Sequence, residues 1–190
     1  NAYHDGALHL YHLRLSIQDI EGGHQPMFLR DRYVIIFNGE IYNHAELKEQ
    51  YALPVAGHSD TEVLLHLYER MGEAMLDLLH GMFVLVIYDR QEQVVFFARD
   101  RAGKKPLYVW QKNERIVFAS ELNCLAALIP LEEDTEAIAS YLRLGYFYQH
   151  ATPYLSVREL GNGECGFINI AHAAISYHHW WNIEKFFDSP

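Results

Sequence analysis

The 190-residue chain carries 25 acidic against 15 basic side chains, a formal net charge of −10, and half of it is hydrophobic. That length and apolar content suit one domain with a sizeable core, and an acidic balance without any basic stripe argues against a nucleic-acid surface. No stretch approaches eighteen uninterrupted apolar residues and no basic-then-apolar leader opens the chain, so no membrane span is expected and a cytoplasmic location is.

Two cysteines, Cys124 and Cys165, have no metal-like spacing, and too few cysteines are present for a disulfide scaffold. The twelve histidines follow no ligand pattern such as His-Glu-x-x-His, so they read as surface or packing residues and no metal is expected.

Taken in order, residues 8–17 alternate apolar and polar side chains and predict one amphipathic strand, broken by the loop Gly22-Gly23-His24-Gln25-Pro26. Arg14 falls in or at the end of that strand. A guanidinium fork there can bind a carboxylate through two parallel hydrogen bonds, although a strand arginine is commonly just solvated. The apolar run 33–37 then predicts a buried strand that stops abruptly at a turn, Asn38-Gly39-Glu40-Ile41-Tyr42-Asn43. A side-chain amide and a neighbouring backbone N–H, fixed by a strand, can stabilise the oxyanion of acyl transfer. Gly39 leaves a substrate room to approach the backbone; the alternative is a plain Asn-Gly corner.

Asn43 with Glu46 predicts a capped helix over 45–51, and Ser59-Asp60-Thr61-Glu62 a capping box ahead of an amphipathic helix with Val63, Leu64, Leu67, Tyr68 and Met71 inward. Asp60 then either complements the helix dipole or receives a ligand's ammonium group. Gly72 breaks this helix and residues 73–80 predict another. Residues 83–88 read as a central strand with 94–98 as its hairpin partner, and 107–110 and 116–119 as a further pair. The charged loop between the pairs, residues 99–106, lacks phosphate-loop spacing and is read as a salt-bridged connector. Helices over about 120–129 and 135–144, the latter stopped by Gly145, precede strands at 157–160 and 164–170 and an aromatic exit, Tyr177 to Trp181. Strands and helices do not alternate strictly, so the class is α+β.

Several stretches, in this order, are recognisable. They are His12-Leu13-Arg14-Leu15-Ser16-Ile17, Gly23-His24-Gln25-Pro26, Phe37-Asn38-Gly39-Glu40-Ile41-Tyr42-Asn43, Ser59-Asp60-Thr61-Glu62, Gly81-Met82-Phe83, Arg99-Asp100 with Gly103-Lys104-Lys105-Pro106-Leu107-Tyr108, and Ala119-Ser120-Glu121. Over residues 8–145, and more loosely beyond, the chain resembles the glutaminase domain of glutamine-dependent asparagine synthetases, a class II glutamine amidotransferase. The resemblance implies the N-terminal-nucleophile hydrolase fold, two stacked antiparallel β-sheets between helix layers, with the first strands lacking here. It assigns Arg14 to the α-carboxylate of glutamine, the backbone of Leu15 and Ile17 to the substrate beside it, Asn38 and Gly39 to the oxyanion hole, and Glu40 and Asp60 to the α-ammonium. It implies hydrolysis of glutamine to glutamate and ammonia for ATP-dependent asparagine synthesis, with ATP and Mg needed only in a synthetase domain absent from this chain. A homodimer is compatible with it.

The family's nucleophile is an N-terminal cysteine whose own amino group is the base; Asn1-Ala2-Tyr3 does not match it. Two expectations follow. One is a catalytic glutaminase part whose cysteine precedes Asn1; the other is a non-catalytic scaffold or binding domain, as in β-lactam synthetases. The intact set of Arg14, Asn38, Gly39 and Asp60 favours the first.

Overall fold

Strands that are apolar on both faces must be covered on both, and this requirement organises the chain into layers. The computed structural model describes residues 1–13 and 23–187. The chain opens with β1 (Ala2–Asp5) and β2 (Leu8–Tyr11), followed by β3 (Met27–Leu29), β4 (Tyr33–Ile41), α1 (His44–Gln50), α2 (Asp60–Met71) and a 3₁₀ segment, Gly72–Leu78. Then come β5 (Gly81–Asp89), β6 (Val94–Arg99), β7 (Tyr108–Lys112), β8 (Arg115–Ala119), α3 (Leu122–Leu128), α4 (Thr135–Leu144), β9 (Val157–Glu159), β10 (Glu164–Asn169) and β11 (Ala174–His179).

Six strands form one antiparallel sheet in the order β11-β10-β6-β5-β4-β3, three form a second in the order β8-β7-β9, and β1 pairs with β2. On one face of the large sheet, Ile35, Phe37, Leu85, Ile87 and Phe96 pack against Leu47 of α1, Leu64 and Leu67 of α2, and Met75 of the 3₁₀ segment. On the other, Val34, Val86, Val95 and Phe97 meet Leu10 of β2 and Leu107 and Val109 at β7. Trp110 and Val157 on the far side of the small sheet are covered by Leu125 and Ile129 at α3. The order is helix, sheet, sheet, helix, the architecture expected from the sequence.

The two sheets are tied by Arg99, whose residue is only 6% exposed. Its guanidinium donates to the carbonyls of Lys105 and Gly103, each at 2.7 Å, and to that of Leu160, and pairs with Glu159 at 2.9 Å. The neighbouring Asp100 accepts four backbone N–H groups, from Phe83, Ala102, Lys104 and Lys105. The loop 99–106 is the structural connector that its charges predicted.

Local expectations are corrected in several places. Of the strand predicted over 8–17, residues 8–11 form β2 and pair with β1, residues 12–13 are not in a strand, and 14–17 lie outside the described residues. The helix predicted over 73–80 is instead a 3₁₀ segment, Gly72–Leu78, that ends before Leu79. Neither predicted capping box closes. Asn43 makes no side-chain cap but donates to the Leu78 carbonyl and accepts from the His80 N–H, while Glu62 reaches back to the N–H groups of Ala56 and Gly57. Tyr177 to His179 belong to β11, the edge strand on β10, rather than to an exit. Among the described residues, no helix is long and apolar enough to cross a membrane.

Candidate active site at the end of strand β4

The predicted turn at Asn38-Gly39 is a strand. β4 runs on to Ile41 and stays in register with β5, pairing Asn38 with Val84, Gly39 with Phe83 and Ile41 with Gly81. Local turn preference is overridden because the chains approach closely here. A Cβ on Gly39 would stand 2.1 Å from the Met82 carbonyl oxygen, and one on Gly81 would stand 2.2 Å from that of Glu40. Asp100 fixes the facing residue, accepting the Phe83 N–H at 3.1 Å and donating its own N–H to the Phe83 carbonyl at 2.9 Å.

Backbone groups of an antiparallel strand point alternately to its two edges. Phe37 turns away from β5: its N–H donates to Gln25 Oε1 at 2.6 Å and its carbonyl meets His12 Nε2 at 3.1 Å. Ile41, four residues on, turns the same way and donates its N–H to Asp60 Oδ2 at 3.1 Å. Gly39 lies midway, so its N–H faces this same edge, past the point where β3 stops pairing at Ile35. Period-two alternation also puts Asn38 and Glu40 on the face that carries Val34 and Ile36, toward the second sheet. Asn38 is exposed and Glu40 half-buried.

The helix layer supplies the other wall. Asp60 begins α2, and its Oδ1 accepts the Thr61 hydroxyl at 3.4 Å. Thr61 also accepts from Gln25 Nε2 at 3.5 Å, and the Gln25 carbonyl accepts the Asn1 side-chain amide at 2.9 Å. Asp60 therefore holds the end of β4 and still has lone pairs to offer, since a carboxylate provides about four acceptor sites.

The structure brings Asn38, Gly39, Glu40 and Asp60 to one corner. Arg14, Leu15 and Ile17 lie outside the described residues. Gln25 and His12 lie within recognised motifs, yet the sequence assigned them no role; a buried glutamine after a glycine pair was the available signal. The two cysteines are elsewhere. Cys124 is exposed on α3, and Cys165 is buried, its thiol pushed up to about 12 by that burial with Glu73 and Glu164 nearby. Cys165 is therefore not a ready nucleophile. A cavity of about 330 Å³ lined by Val109, Asp134, Thr152, Arg158 and Tyr177 lies on the second sheet and shares no residue with this corner.

Residues 1–181 match a protein-family model described as a glutamine amidotransferase domain. Asparagine synthetase [glutamine-hydrolyzing] 1 of Bacillus subtilis (strain 168) is 39% identical over 171 residues, covering 84% of this chain and 27% of that protein. A putative asparagine synthetase [glutamine-hydrolyzing] 2 of Methanocaldococcus jannaschii is 30% identical over 197 residues, covering 93% of this chain and 38% of that one. The chain thus spans well under half the length of these relatives. Among solved structures, a glutamine phosphoribosylpyrophosphate amidotransferase from B. subtilis superposes with a TM-score of 0.56 at 24% identity, over 83% of this chain and 32% of the other. At that identity the likeness bears on the fold alone.

Proposed function

Because the chain belongs to the glutamine amidotransferase domain family, we propose that the β4 corner is a glutaminase pocket, releasing ammonia from glutamine for amide synthesis, from aspartate, in a synthetase partner domain. The observation that carries this reading is the edge of β4, where the Gly39 N–H lies between two anchored residues and the exposed Asn38 amide is next to it. Attack on the glutamine carboxamide carbon puts negative charge on its oxygen. Two donors on a strand held at Phe37 by Gln25, at Ile41 by Asp60 and along β5 need no reorganisation to meet that charge.

The amino-acid end of glutamine is served by opposite charges. Glu40 and Asp60 face its α-ammonium. Arg14 takes its α-carboxylate, as the resemblance to glutaminase domains implies. The backbone of Leu15 and Ile17 lines the substrate beside it. The nucleophile this reading calls for is a cysteine thiol with a free amino group as its base, a role that Cys124 and Cys165 do not fit because both are internal and carry no free amine. ATP and Mg²⁺ act in the synthetase partner, where the amide is made.

The test uses the full-length protein. Asn38→Ala is expected to lower kcat for glutamine-dependent synthesis about 10²- to 10³-fold with little change in KM, because the lost hydrogen bond forms mainly in the transition state. Synthesis from free ammonia bypasses the pocket and should persist. Collapse of both activities would make Asn38 a folding residue and overturn the reading.

A further inference from the structure

The glutamine corner makes no use of a second cluster, on the opposite edge of the large sheet. Cys165 of β10 and His178 of β11 are direct cross-strand partners. Cys165 Sγ lies 3.2 Å from His178 Nε2, and Glu73 Oε2, from the 3₁₀ segment, lies 2.9 Å from that same nitrogen. The three ligand atoms fall within 4.8 Å of one another. The imidazole is stacked against Phe167, with centroids 6.2 Å apart and planes 15° from parallel.

Strand pairing sets Cys165 beside His178, but it does not satisfy both neighbours of a single ring nitrogen. One ring nitrogen has either one hydrogen or one lone pair, so it cannot bond fully to a sulfur and a carboxylate oxygen together. A His–Glu contact alone, with both side chains nearly half exposed, adds little and leaves the sulfur at the same nitrogen without a bond of its own. The arrangement is not a nucleophile–base–orienter triad either, because the carboxylate and the sulfur share one nitrogen instead of taking one each. A cation among the three gives each a lone-pair contact. For metal distances of about 2.3 Å to sulfur and 2.0 to 2.2 Å to nitrogen and oxygen, tetrahedral ligands lie roughly 3.4 to 3.6 Å apart. The two pairs that share His178 Nε2 need to spread by about half an ångström or less to reach that geometry, while the sulfur and the carboxylate oxygen lie within 4.8 Å of each other.

We propose that Glu73, Cys165 and His178 form a zinc-class metal site with three protein ligands and a fourth position open to solvent. A thiolate and an imidazole select Zn²⁺ over Mg²⁺ or Ca²⁺, which take oxygen ligands. The sulfur end is closed and the Glu73 and His178 side is open, so the ion enters from solvent and the Cys165 thiol proton leaves to solvent as the sulfur–metal bond forms. The sequence offered no such site because its spacing rules concern one segment; these ligands come from three, with 105 positions between Glu73 and His178. The bound ion would staple edge strand β11 to the segment that follows α2.

The test titrates chelator-stripped chain 1–190 with Zn²⁺ against a chromophoric chelator, and separately with Co²⁺ to read thiolate-to-metal charge transfer. Both use the His4→Ala/His9→Ala double variant, since those rings meet at 2.6 Å and offer a competing histidine pair. One equivalent of tightly held Zn²⁺ and a cobalt–thiolate band are expected. The band should vanish in Cys165→Ala and survive in Cys124→Ala, and Glu73→Gln or His178→Ala should weaken Zn²⁺ binding about tenfold or more. If Cys165→Ala misfolds by circular dichroism, the half-exposed His178→Ala decides alone. No thiolate band in the parent protein, or unchanged affinity in His178→Ala, overturns the proposal.

Discussion

Gln25 accepts from Phe37 and donates to Thr61, so a single carboxamide stitches β4 to the first turn of α2. Removing it strands a buried N–H, and an unsatisfied buried donor costs about 1 to 3 kcal/mol. Gln25→Ala should lower the unfolding free energy by that amount, read as a lower denaturant midpoint at unchanged m-value; a midpoint equal to that of the parent would mean that water replaces the side chain at no cost. Asp89 makes a second local prediction. Its burial opposes ionisation, but the Arg32 fork at 2.7 to 3.1 Å and the N–H groups of Gln91 and Glu92 outweigh it and hold the carboxyl below its usual range. With the folded value depressed, the stabilisation is complete above the ordinary carboxylate value of about 4 and is lost as pH falls through the folded value below it. Asp89→Asn should therefore flatten the acid limb of stability against pH. Identical limbs in variant and parent would remove Asp89 from the acid response.

At the scale of elements, the legible parts were those whose signal is local or doubly apolar. The inward face of α2 was readable from Val63, Leu64 and Leu67 at helical spacing, and β5 and β6 from uninterrupted apolar runs. Asn38-Gly39 misled because a turn pair was judged by its neighbours, whereas nine residues of pairing with β5 decide its conformation. The capping boxes misled for a related reason: Asn43 and Glu62 found backbone partners outside their own helices, which no four-residue pattern reveals. β11 was missed because its side chains alternate only weakly and its partner, β10, covers one edge alone. The close approach of β4 and β5 makes Gly39→Ala a sharp test of the strand. A methyl 2.1 Å from a backbone oxygen forces the ladder apart, so a loss of at least about 1 to 3 kcal/mol is expected, as for overpacked interiors. A chemical denaturation curve superimposable on that of the parent would restore the turn.

For the whole molecule, periodicity carried the class as far as α+β, and the order of the recognised motifs supplied the stacked-sheet architecture that the layers display. The candidate site was suggested by that order and not by any one residue, since an arginine, an aspartate and an Asn-Gly pair each have ordinary structural uses. The tie made by Arg99 reaches further than its neighbourhood. Were the small sheet to detach, the guanidinium would lose Glu159 and the Leu160 carbonyl while remaining walled in by its own loop, and keeping a charge buried without those partners is expensive. Partial melting is thereby penalised, and heat should take both sheets in one transition, with calorimetric and van't Hoff enthalpies equal. Arg99→Met is expected to cost about 3 to 5 kcal/mol and to split that endotherm, pulling the van't Hoff enthalpy below the calorimetric one. A single sharp endotherm in the variant would place the coupling between layers in the apolar interface instead. If the endotherm splits, thermal cooperativity across this domain hangs on one cation that has no part in its chemistry.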